Sequence, residues 1–191
     1  MSLALERPMT LDEFLVWEHG QEMRWEFDGF APVAMTGGTS EHSAIERNLI
    51  FSLTGRLRGK PCQPYTSNLK IGTAGSIRYP DAYVSCTPLG VGTLVVTDPV
   101  VIFEVLSPST ASTDIGAKNQ EYRDTPSVQR YVMLTQDRRQ ATVFARSGSD
   151  WVGHIVAAGE TLDMPEIGIS IPMAELYEGV ASPSPDADVR G

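Results

Sequence analysis

Residues Val100 to Leu106 read Val-Val-Ile-Phe-Glu-Val-Leu, and this run constrains the chain more than any other. Six of the seven side chains are apolar and β-branched or bulky, the pattern of a strand buried on both faces. In its middle stands one carboxylate, Glu104. A buried ionised carboxylate is costly unless it is paired or coordinates a metal. The groups that could relieve that cost lie elsewhere in the chain: Asp81 after Pro80, Lys118 after the strand, and Glu26 and His42 before it. The expectation is that these residues converge on one metal-dependent site.

The rest of the chain supplies the elements that would carry them. Thr10 and Glu13 form a capping-box pair ahead of a short amphipathic helix that runs to about Glu18. Arg24 to Phe27 alternates polar and apolar, Asp28-Gly29 is a hairpin turn, and Phe30 to Met35 is the return strand. Trp25 and Phe27 share one strand face and Glu26 points to the other, where a solvated carboxylate would be ordinary. Thr36 to Ser40 is a glycine-bearing loop ending in a helix cap, but its spacing fits neither common phosphate-binding loop. A helix is predicted from about Glu41 to Arg58, with Ile45, Leu49 and Leu53 as its apolar stripe and His42 opening the same face. A capping or core histidine is the plain alternative there.

Strands are predicted at Tyr65–Ile71 and Ile77–Ser85, with a loop from Pro88 to Val96. Pro80 cannot donate to a ladder, which places Asp81 where the sheet is irregular. After the buried strand comes a polar linker, Ser107 to Thr113, then a helix from Asp114 to Asp124. Ile115, Lys118 and Tyr122 stand at i, i+3 and i+7, so Lys118 is expected on an inward stripe. A surface pair between Asp114 and Lys118 would be worth only tenths of a kcal/mol. Three strands, Arg130–Thr135, Ala141–Arg146 and Trp151–Ala157, form a meander, and Ile171–Tyr177 a short helix.

The chain of 191 residues is long enough to bury a core as one domain, expected over residues 10–178 between a lead-in, 1–9, and a disordered tail, 179–191. A formal net charge of -9 argues against holding nucleic acid by a broad basic surface. It leaves open an enzyme that meets phosphate through a divalent cation, because such sites are carboxylate-rich. No apolar run is long enough to span a bilayer and no signal-peptide pattern opens the chain. Cys62 and Cys86 are too few for a disulfide framework and form no CxxC pair, so a cytoplasmic protein with neither a zinc site nor a cysteine nucleophile is expected.

Two carboxylates from neighbouring strands can hold Mg²⁺ or Mn²⁺, and a lysine beside them can orient a water and offset charge developing on a phosphate. Glu26-Phe27-Asp28-Gly29, His42 opening a helix, Pro80-Asp81, the run Glu104 to Thr110, and Asp114, Lys118 and Tyr122 together resemble the Uma-two family, grouped with restriction-endonuclease-like PD-(D/E)xK nucleases. The resemblance covers roughly residues 9–178. It implies an α/β (α+β) restriction-endonuclease-like core, a mixed sheet flanked by helices with an added antiparallel hairpin and meander. It also implies a metal-dependent endonuclease acting on nucleic acid, with DNA as the expected substrate. Asp81 and Glu104 would be the metal carboxylates, with Val105 in the metal set, and Glu26 and His42 would be further site residues. The usual lysine position, two after the second acid, is Leu106 here, and Lys118 on the following helix would take the role. Cutting two strands suits a homodimer. Two other readings stand beside this one: an inactive nuclease fold that binds a protein or nucleic-acid partner, and a structural Glu104–Lys118 ion pair.

Overall fold

The computed structural model describes residues 7–35, 37–107, 111 and 114–181. The lead-in up to residue 6, linker residues 108–110 and 112–113, and residues 182–191 lie outside the described residues. So does the side chain of Asp114.

Helix α1 (Leu11–Glu18) begins at the capping box the sequence predicts: the Thr10 hydroxyl accepts from Glu13 N, and the Glu13 carboxylate accepts from Thr10 N. Strands β1 (Trp25–Phe27) and β2 (Pro32–Ala34) are joined by a turn in which the Asp28 carboxylate accepts from both Phe30 N and Ala31 N. Gly29 supplies the positive φ of 89° that this turn requires. Helix α2 (Ser40–Leu57) presents Ile45, Leu49, Leu53 and Leu57 as one fully buried stripe. Each such side chain is worth roughly 1.5–3 kcal/mol on burial.

The two long strands expected after α2 are each divided between two sheets. Residues 65–71 split into β3 (Gln63–Thr66) and β4 (Lys70–Gly72), and residues 77–85 into β5 (Ile77–Arg78) and β6 (Ala82–Ser85). The second break falls at Tyr79-Pro80-Asp81, where proline removes the ladder donor and lets the chain change sheets. Within the expected loop 88–96, Val95–Val96 forms β7 beside β4.

The buried strand is β8 (Pro99–Leu106), and β9 (Arg130–Thr135), β10 (Ala141–Ser147) and β11 (Asp150–Val156) form the meander. One sheet runs β2-β1-β5-β4-β7 and the other β11-β10-β9-β8-β6-β3. Strand β8 sits in the middle of the second, antiparallel to β6 and parallel to β9. Val101, Phe103 and Val105 face α2 and the C-terminal elements, while Ile102 packs on the opposite side with Tyr83, Tyr122, Tyr131 and Met133. Glu104 shares that second face by the alternation of the strand.

After β8 the chain makes a π-turn, Asp114–Lys118, that runs into α3 (Asn119–Asp124). This looser winding breaks the expected stripe: Lys118 and Tyr122 are buried, but Ile115 is exposed. The C-terminal region holds β12 (Thr161–Met164) and β13 (Ile169–Pro172) before α4 (Met173–Leu176). A strand therefore takes the first part of the helix expected at 171–177. Packing continues past residue 178, since the Val180 side chain is buried in the main core. Cys62 and Cys86, expected to be free, are joined in a disulfide. The antiparallel register Gln63↔Ser85 sets them opposite each other one place further out, a proximity that sequence spacing does not reveal. No helix among the described residues is long and apolar enough to cross a membrane.

Candidate active site

The site forms where β6 and β8 meet the α2 N-terminus on one side and the π-turn on the other. Pairing between the strands ends at Ala82↔Phe103. Beyond it the Asp81 side chain takes over: its Oδ2 accepts from Val105 N at 2.6 Å. Asp81 is thereby tied to the peptide that follows Glu104. The structure thus brings the Val105 main chain to Asp81 through its N–H. The same Oδ2 lies 3.2 Å from His42 Nε2, so the predicted inward position of His42 is realised as a contact to a carboxylate.

Glu104 is held on the other side. Its Oε1 accepts from the Tyr122 hydroxyl at 2.9 Å and from Lys118 Nζ at 3.2 Å. Burial, then the Glu104 charge, pushes the Tyr122 phenol well above its ordinary range, which keeps it a donor. Lys118 Nζ is also 3.3 Å from Glu26 Oε1. Glu26 is buried, against the solvated alternative, because the five-stranded sheet turns this face of β1 inward toward α3. Glu26, Lys118, Glu104 and Tyr122 therefore form one linked group, and His42 and Asp81 a second, which meets the first at the Val105 peptide next to Glu104.

Several members of this set escape a reading by sequence pattern. Arg78, 1% exposed, donates to Glu26 Oε2 and forms a two-pronged pair with Glu121 at 2.8 and 2.7 Å. Burial alone would lower the Arg78 pKa, but the Glu121 and Glu26 carboxylates carry it above its ordinary value. The Glu26 Oε1 also accepts from Tyr79 N at 3.1 Å. Glu121 is three residues after Lys118, a spacing that could have suggested a shared face; nothing local marks Arg78. Glu46, four residues after His42 on α2, is half-buried, and burial followed by the Asp81 charge raises its pKa. Gly38 sits under the His42 ring, where a Cβ would lie 3.0 Å from Cγ and Nδ1.

The formal charges do not cancel. Glu26, Glu104 and Glu121 face Arg78 and Lys118, and Asp81 adds a further carboxylate beside His42. Among the described residues no group of three or more His, Cys, Asp or Glu is placed to hold a metal ion by itself. Two oxygen-bearing carboxylates on adjacent strands suit a different arrangement, in which a hard cation keeps several waters and takes further ligands from a phosphate, as Mg²⁺ does. The residues present fit that kind of ion.

Known proteins place this geometry in context. A protein of Synechocystis sp. (slr1290, uncharacterized) is 31% identical over 177 residues, covering 91% of this chain and 93% of the relative. A second Synechocystis protein (sll1609, also uncharacterized) is 27% identical over 141 residues, covering 71% and 80%. A solved structure from Anabaena variabilis ATCC 29413, described as a "putative nuclease", superposes with a TM-score of 0.75 at 16% identity, covering 91% of this chain and all of that one. The shared architecture is a mixed α+β fold with sheets flanked by helices, the restriction-endonuclease-like arrangement. Residues 11–174 match the Uma2 model, whose description reads "Putative restriction endonuclease", and the chain belongs to that family.

Proposed function

We propose that this protein is a divalent-metal-dependent nuclease that hydrolyses phosphodiester bonds, with DNA as substrate and Mg²⁺ or Mn²⁺ as the ion. The observation that carries the reading is that Asp81 is tied to the peptide next to Glu104 where β6 and β8 meet, with the Lys118 ammonium 3.2 Å from Glu104. Membership of the family supports it.

Asp81 and Glu104 would hold the ion. When bound, the ion supplies a Lewis acid for the phosphoryl oxygen and a more acidic water. Val105 N–H and His42 both engage Asp81 Oδ2, which fixes the rotation of that carboxylate. Tyr122 does the same for Glu104. Lys118 takes the place of the lysine missing at Leu106: it orients the attacking water and offsets charge on the phosphate as the ester oxygen leaves. Glu26, braced by Arg78 and Tyr79 N, holds the Lys118 ammonium in place beside Glu104.

The test is incubation of supercoiled plasmid and single-stranded DNA with pure protein in Mg²⁺, Mn²⁺ or EDTA, beside Glu104→Ala and Lys118→Ala. The expected result is cutting that needs the metal and is lost in both variants. Wild-type protein that cuts nothing in either metal, or Glu104→Ala that cuts as well as wild type, overturns the proposal.

A further inference from the structure

The loop after β9 carries Gln136, which the reading of the site so far leaves unused. Its Nε2 donates to the Leu106 carbonyl at 2.8 Å, and its Oε1 accepts from the Thr39 hydroxyl at 2.7 Å. Thr39 is the N-cap of α2, and the same hydroxyl accepts from His42 N at 3.2 Å. His42 then reaches Asp81, and Asp81 returns to Val105 N. These contacts close a circuit that leaves β8 at Leu106 and comes back to it at Val105.

The Thr39 hydroxyl serves in both senses, accepting from His42 N and donating to Gln136 Oε1. An amide can accept from a hydroxyl through its oxygen and donate to a carbonyl through its nitrogen at once. A carboxylate would face the Leu106 carbonyl with no donor, and an aliphatic chain would offer neither. The circuit joins α2, which carries His42, to the strand that carries Glu104, across elements 97 residues apart in sequence at Thr39 and Gln136.

We infer that Gln136 is a positioning residue: by holding the Thr39 cap against the end of β8, it sets where the His42 ring meets Asp81. The inference deepens the nuclease reading and rests on it for the effect on turnover. Misplacement of reacting groups by about 1 Å can cost about 100-fold in rate.

The experiment compares Gln136→Met, Thr39→Val and Thr39→Ser with wild type in two readouts at one pH. The first is plasmid cleavage resolved into kcat and KM in Mg²⁺. The second is the ¹⁵N and ¹H resonances of the His42 side chain, which are assignable because the chain has three histidines. Gln136→Met and Thr39→Val are expected to lower kcat tenfold or more with KM little changed and to shift the His42 resonances together. Thr39→Ser keeps the hydroxyl and is expected to behave as wild type. Unshifted His42 resonances in both Gln136→Met and Thr39→Val overturn the inference, as does a Thr39→Ser protein as impaired as Thr39→Val. Should wild type cut nothing, the nuclease reading falls, and the His42 resonances still decide the positioning role.

Discussion

Replacing Lys118 with Met removes the cation from between two buried carboxylates while keeping most of the side-chain volume. Lys118 Nζ is 3.3 Å from Glu26 Oε1 and 3.2 Å from Glu104 Oε1. Laid end to end, these distances put the two oxygens no more than about 6.5 Å apart. At an effective dielectric near 20, two unit charges at that separation repel by about 2.5 kcal/mol. That repulsion is present in the wild type too, where the ammonium offsets it. Removing the ammonium leaves it uncompensated, and the loss should fall in the range of about 3–5 kcal/mol found for a buried pair that loses one partner. For a domain of this size that is a fall in Tm of roughly 10–15 °C. Glu26 retains Arg78 and Tyr79 N and Glu104 retains the Tyr122 hydroxyl, but without the ammonium the buried pair of carboxylates is driven to take up a proton in the variant. The folded variant then binds more protons than its unfolded chain, and its stability falls as pH rises. The deficit against wild type should therefore be largest at pH 8 and smaller at pH 5. Calorimetric melts of both proteins in EDTA at the two pH values check this. A variant melting within a degree or two of wild type at pH 8, or a deficit independent of pH, would refute the charge bookkeeping. Cleavage measured on the same samples at a temperature where the variant is folded separates a structural lysine from a working one.

Three further outcomes are expected. Glu46→Gln should stabilise the metal-free protein at pH 7.5, because burial and the Asp81 charge raise the Glu46 pKa. A carboxyl raised in the folded state favours folding while protonated and loses that contribution as pH rises above its unfolded range, so the Tm gain should shrink toward pH 4.5; a gain that grows on acidification contradicts the sign. Gly38→Ala should leave the fold intact but displace the His42 ring, which a new Cβ would approach to 3.0 Å, and should lower turnover several-fold; unchanged kcat would show that the loop yields instead. Replacing Cys62 and Cys86 together with Ser opens a link that spans 24 residues of sequence, worth about 3 kcal/mol by loop entropy, and should lower Tm by roughly 10 °C. Thiol alkylation and mass analysis of the wild type under non-reducing conditions gives the pairing directly.

Local regularities carried much of the fold into view. The capping box at Thr10 and Glu13, the Asp28-Gly29 turn, the α2 stripe and the three-strand meander each depend on spacings of a few residues, and each is present. The apolar run at 100–106, interrupted by Glu104 alone, marks a strand covered on both faces, and Pro80 marks the irregularity beside Asp81. Where one stretch of chain serves two sheets, periodicity has no means of showing the break, and the pattern of residues 65–71 and 77–85 is that of continuous strands. The π-turn likewise left Ile115 in solvent, because its winding differs from the 3.6-residue period by which the stripe was drawn.

The site divides in the same way. Residue type and chain order singled out Asp81, Glu104, Lys118, Glu26 and His42, since a carboxylate inside an apolar strand demands partners whatever the fold. Which partner meets which atom was settled only by the tertiary structure. Sequence placed Lys118 on an inward face; packing of the π-turn against β1 and β8 put its ammonium between Glu26 and Glu104. Arg78, Glu121, Thr39 and Gln136 act through contacts across 43 to 97 residues of sequence, and no pattern within a helical turn or a strand reports on these. The disulfide follows from the same cause, because the register of β3 on β6 brings the two cysteines together. Amino-acid order determined the elements and the need for a charged site, through forces that act over one or two turns of chain. Sheet register and the packing of layers decided its geometry, because hydrogen bonds and ion pairs depend on distances in space that local spacing does not encode.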